Sequence, residues 1–159
     1  MNSLFGALAA FGFALSAAVH AAALFGVPVQ DVIPFVLSLH VGIFIVLIPA
    51  IFAMRRATDK GDPFALLRGM PRWTVGIFAL LFVYAFTNFF AFTGASAGSP
   101  EIRDGQYVLM RKGKVIRTIT AQEYVQGRAN TLRVFSGHWM FFYAVSAAVL
   151  LVRRPTTRA

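Results

Sequence analysis

Trp73-Thr-Val-Gly-Ile-Phe-Ala-Leu-Leu-Phe-Val-Tyr-Ala-Phe-Thr-Asn-Phe-Phe-Ala-Phe-Thr93 contains no Asp, Glu, Lys or Arg. A hydrocarbon core about 30 Å thick needs roughly 20 helical residues to cross it, and this run is that long. A helix on the surface of a water-soluble domain would show a polar face at a period of about 3.6 residues, and none is visible here. Residues 4–25, 32–54 (with Pro34 and Pro49 inside) and 134–152 repeat the pattern, again without a charge. The expected fold is therefore an all-α integral membrane protein, a four-helix transmembrane bundle forming a single membrane domain over residues 1–159.

Composition agrees: 58% of the chain is hydrophobic, 13% is charged, and Phe occurs 17 times. A soluble domain carries about a quarter charged residues. With no cysteine in the chain, disulfides and thiolate metal sites are excluded. The net charge of +9 looks like a nucleic-acid signal, but the basic residues sit in flanks and loops. There they orient the chain and meet anionic head groups, so the lipid bilayer, not nucleic acid, is the expected partner. The first span is expected to be retained rather than cleaved. Met1-Asn2-Ser3 lacks the basic start of a signal peptide, and the apolar run is too long for one.

Basic residues set the expected orientation. Arg55, Arg56, Lys60, Arg68 and Arg72 lie between the second and third spans, and Arg153, Arg154 and Arg158 follow the fourth. Only Arg103, Arg128 and Arg133 flank the membrane on the other side. This bias puts both termini in the cytoplasm of a bacterial inner (plasma) membrane and the 94–133 loop outside it. Trp73 and Trp139 fall near span starts, where interfacial indoles are expected.

That loop carries its own fold signals. Residues 94–100 read as a flexible exit. Gln106-Tyr-Val-Leu-Met-Arg and Lys114-Val-Ile-Arg-Thr-Ile flank Lys112-Gly113, which predicts a β-hairpin. Thr120-Ala-Gln-Glu123 is a capping box for a short amphipathic helix over residues 121–130. On the opposite side, Gly61-Asp62-Pro63 and Gly69-Met70-Pro71 mark turns around a short apolar piece, residues 64–67.

All three histidines, His20, His40 and His138, fall within spans. They lie roughly 8, 12 and 6 Å from the outer helix ends at the helical rise per residue. Intramembrane ionisable groups face a bundle interior or a cavity. His20 continues a small-residue stripe with Gly12 and Ser16, and His138 follows Gly137. As a cofactor site these residues would ligate haem b through two imidazoles, with Arg128 or Arg133 on the propionates, or hold zinc or copper through three. As structural groups they would each bond a carbonyl or hydroxyl across helices or snorkel toward the outer interface, and no cofactor is the leading expectation. The inner half of the bundle has no histidine, which excludes transmembrane electron transfer through two haems by this chain alone.

Phe78, Phe82, Phe86 and Phe89/Phe90 form a stripe on the third span, read as packing surface or a lipid or quinone groove; Asn88 is set to bond between helices. No spanning carboxylate, nucleophile–base pair, P-loop or HExxH motif is present. Glu101, Asp104 and Glu123 read as solvated charges and a cap. The leading functional expectation is a non-catalytic small subunit or scaffold of a larger inner-membrane complex, with other membrane subunits as partners. The alternatives are a haem- or metal-binding membrane protein and a small lipid- or quinone-acting membrane enzyme.

Overall fold

The computed structural model of the protein describes residues 2–57, 70–95 and 98–151. The Gly61-Asp62-Pro63 turn, residues 64–67 and the basic tail from Arg153 lie outside them. Among the described residues, four helices are long and apolar enough to cross a membrane. They are α1 (Asn2–Leu24), α3 (Ser38–Ala57), α4 (Arg72–Ala95) and α5 (Ala121–Leu151).

The second span does not start as one helix. A short helix α2 (Val29–Val32) and a 3-10 turn (Pro34–Leu37) precede α3. Pro34 is the cause, because the residue before a proline is driven out of the helical region. Ile33 accordingly sits at φ −122° and ψ 86°. Pro49, by contrast, is accommodated inside α3.

The expected hairpin is one half of a larger unit. Three antiparallel strands, β1 (Ser99–Arg103), β2 (Gln106–Arg111) and β3 (Lys114–Thr118), form a meander in that order. Ser99-Pro100, expected in a flexible exit, thus belongs to a strand. Both turns have two residues at positive φ: Asp104 (52°) with Gly105 (75°), and Lys112 (49°) with Gly113 (77°). That backbone matches the twist of the flanking strands, which is why such turns close tight hairpins. Met110 and Val108 are buried, and Pro100 packs on the face of α5 at Gly127. The sheet is therefore docked on a helix.

The short helix expected at 121–130 and the fourth span are one continuous helix, α5. Nothing in Thr131-Leu-Arg133 interrupts it, since neither Pro nor Gly stands there. At the helical rise, α5 is roughly 46 Å long, about half as long again as a hydrocarbon core. Its capping box is complete. The Glu123 N–H donates to Thr120 Oγ1 at 3.1 Å, and the Thr120 N–H donates to Glu123 Oε2 at 2.8 Å.

Helix α5 is the hub. α1 packs most extensively on it, and α3 and α4 each pack on it while barely touching one another. On the α1 side the Tyr143 ring fills the space left by Gly12 and Gly42, and its hydroxyl donates to the Leu39 carbonyl at 2.9 Å. A Cβ on Gly12 would collide with that ring, and one on Gly42 with its hydroxyl oxygen. Trp139, expected at the interface, is fully buried in this core instead. Between the C-terminal end of α1 and the N-terminal end of α3, Arg128 of α5 bonds Asp31 at 2.6 Å, and the Gln30 amide donates to the Arg128 carbonyl at 2.8 Å.

Candidate functional site

The three imidazoles reach different surroundings. His20 lies in the α1–α5 seam, 4% exposed, with both ring nitrogens engaged. Its Nδ1 is 2.9 Å from Ser136 Oγ, and its Nε2 bonds the Tyr84 hydroxyl of α4. The directions follow from the chain of partners. Ser136 Oγ–H donates to the Leu132 carbonyl at 2.8 Å, so Oγ accepts from His20 Nδ1–H, and Nε2 accepts from Tyr84. No lone pair is left on this ring for a metal or haem iron.

His40 and His138 line a common groove of about 990 Å³. Its floor is α5, along a stripe at helical spacing that includes Gly127, Asn130, Thr131, Val134 and His138. At about 100° per residue this stripe lies opposite the face that carries α1. His40 of α3 forms one wall, Phe89 and Phe92 of α4 the other, and Pro100 and Leu109 of the sheet close the end. Polarity changes along the groove: Arg117, Gln122, Glu123, Gln126 and Asn130 line one end, and Phe135, His138 and Phe142 the other.

Neighbouring groups dictate the tautomers of these two rings. The Trp139 indole N–H can only donate, and it donates to His40 Nδ1 at 3.0 Å. The proton of a neutral His40 is therefore on Nε2. The Val134 carbonyl can only accept, and it accepts from His138 Nδ1–H at 2.9 Å. A neutral His138 therefore has a bare Nε2. Neither Nε2 bonds another described residue. Aromatic rings hold both imidazoles: His40 lies edge-on to Phe44, Phe135 and Trp139, and His138 packs on Phe86 and Phe89.

For haem or metal chemistry this set is incomplete as arranged. Ligation needs a lone pair on each coordinating nitrogen, and a second-shell acceptor on the other N–H orients it. His138 meets both conditions. His40 has its lone pair on the indole, and a ligand at Nε2 would cost it that bond. Among the described residues no group of three His, Asp or Glu side chains is placed to hold a metal ion. Arg128 and Arg133, expected near propionates, are engaged elsewhere: Arg128 with Asp31, and Arg133 with its guanidinium 4.3 Å from the centre of the Phe92 ring.

At the polar end, Arg117 and Glu123 pair at 2.7 Å. The Arg117 guanidinium, and then the Thr120 N–H, hold the Glu123 carboxyl down at about 2. Asn88, expected to bond between helices, does so through its amide to the Arg133 carbonyl at 3.1 Å. The groove itself escaped the sequence because it needs α5 to continue unbroken past residue 130. The signal was the absence of any helix breaker there. Compared with protein-family models, with curated proteins and with solved structures, the chain matches none.

Proposed function

We propose that this is a four-span integral membrane protein that holds a lipid-soluble small molecule in the groove between α3, α4, α5 and the sheet. One observation carries the reading: an aromatic-walled groove of about 990 Å³ lined by two imidazoles, each with one ring nitrogen that bonds no other described residue. Ligand sites are apolar clefts of roughly 300–1,000 Å³ with a few placed polar groups, and this one fits that description. Because α3 and α4 barely meet, a ligand moving laterally in the bilayer has an entrance between them. The basic bias supports cytoplasmic termini, with the sheet and the polar start of α5 on the outer side of a plasma membrane.

A role as a small subunit of a larger complex draws on the exposed aromatic faces, such as Phe82 at 44% and Phe90 at 64%. Acyl chains cover such faces equally well, so they favour a protein partner no more than a bilayer. The groove is the more specific feature.

The test is to purify the protein in mild detergent and identify what organic solvent extracts from it by mass spectrometry. The unaltered protein should carry one lipid-soluble compound well above its share of the membrane extract. Thr131→Trp, which fills the groove, should lose it. Bulk lipids alone, in equal amounts from both proteins, would overturn the reading. A haem absorption band from the pure protein would replace it with haem ligation through His138. Orientation is tested separately, and the cysteine-free chain makes this simple. With an impermeant thiol reagent on intact cells, Ser99→Cys should label and Thr58→Cys should not.

A further inference from the structure

The chemistry of the groove specifies its ligand further, and this step rests on the proposal that a lipid-soluble molecule binds there. The two imidazole nitrogens that bond no other described residue are of opposite kind. Trp139 fixes His40 as a ring that offers N–H, and Val134 fixes His138 as a ring that offers a lone pair. A fatty acyl chain satisfies neither. A carboxylate satisfies only His40, and an aliphatic alcohol binds through one oxygen. On the walls, Phe135 packs edge-to-face with His40 and Phe89 with His138. Edge and face contacts with such rings favour a planar unsaturated ligand.

The geometry points to a quinone or quinol head group as the occupant, with His40 Nε2–H donating to a ring oxygen and His138 Nε2 accepting from a ring hydroxyl. The isoprenoid tail of such a molecule leaves through the gap between α3 and α4. A quinone has two acceptor oxygens and uses the His40 contact alone. A quinol can use both: one oxygen accepts from His40, and the opposite hydroxyl donates to His138. The site therefore favours the reduced form. The proposal concerns binding and involves no electron transfer. It differs from haem ligation, which would require His40 to present a lone pair it does not have.

The different demands of the two oxidation states provide the test. With Trp73→Phe, Trp139 is the only indole left, and it touches His40. Quenching of its fluorescence then reports binding of decylubiquinone, or of its quinol kept reduced under argon. The quinol should bind more tightly than the quinone. His138→Phe should weaken the quinol about five- to tenfold and leave the quinone nearly unchanged, the loss expected for one hydrogen bond. His40→Phe should weaken both. His40→Gln and His138→Gln, whose amides can supply either a donor or an acceptor, should restore most of the affinity if folding is intact. Equal affinity for the two forms, or binding indifferent to both histidines, would overturn the quinol assignment. That failure is distinct from failure of the groove reading. A natural compound lost on Thr131→Trp would still mark the groove as a ligand site of another chemistry.

Discussion

Imidazoles stand at both faces of α5, yet the two faces differ in how far the surrounding helices satisfy them. In the α1 seam, small residues bring backbones together. Gly12 and Gly42 admit the Tyr143 ring, and His20 is bonded at both nitrogens by Ser136 and Tyr84. On the opposite face the helices diverge, and His40 and His138 line the groove, each with one nitrogen spent on the protein and the other bonded to no described residue. An ionisable residue in a membrane helix is thus not a site by its presence. The completeness of its hydrogen bonding separates a tie between helices from a contact offered to a ligand.

The contrast makes unequal demands on stability. The largest effect belongs to the seam. Gly12→Val drives a side chain into the Tyr143 ring, and overpacking of this kind should cost about 3 kcal/mol. Thermal unfolding in detergent would measure it, and a shift no larger than that of Ala14→Val would break the claim that Tyr143 is the central knob. Next, Tyr84→Phe leaves the buried His20 Nε2 without a donor and should cost about 1–3 kcal/mol. His138→Phe, in the groove, should cost under about 1 kcal/mol, because the Val134 carbonyl it abandons is also a helix acceptor. Equal losses for the two variants would remove the distinction between the faces.

A more local effect should appear in the sheet that closes the groove. Gly113 stands at φ 77°, so Gly113→Val forces a β-branched side chain into a backbone region costing roughly 1–2 kcal/mol. Faster amide exchange confined to β2 and β3 would report it, while exchange in the seam should not change. The smallest effect is a pH dependence at the polar end. Glu123 is depressed from 4.5 to about 2 by Arg117 and the Thr120 N–H. Its contribution is fully present above the higher value and is lost as pH falls through the lower one. Protection from exchange at the start of α5, corrected for intrinsic rates, should therefore fall between about pH 4.5 and 2, and Glu123→Gln should abolish that loss.

Several elements are legible in the sequence alone. The uncharged runs locate the four long apolar helices, since length and the absence of charge are properties of each segment alone. The Thr120–Glu123 cap and the Lys112-Gly113 turn were equally local. The missed strand was legible too: Asp104-Gly105 is a strong two-residue hairpin signal, overshadowed by the Gly- and Ser-rich stretch before it. Trp139 was misplaced because indoles at span starts favour the interface on average. Here the partner His40 lies on α3, ninety-nine residues away in sequence.

What the sequence determined by itself is whatever depends on neighbours within a turn or two: apolar length, caps, tight turns, and the break that Pro34 imposes at the start of α3. It also placed three histidines in the apolar segments and a small-residue stripe beside one of them. What those histidines do was decided only by tertiary structure. A neutral imidazole has one proton and one lone pair, and which nitrogen carries which depends on groups that arrive from other helices or from the turn beneath. Trp139 across the α3–α5 contact, Ser136 and Tyr84 across the seam, and the Val134 carbonyl made that choice. The same residue type thereby became a structural tie in one place, a donor in another and an acceptor in a third.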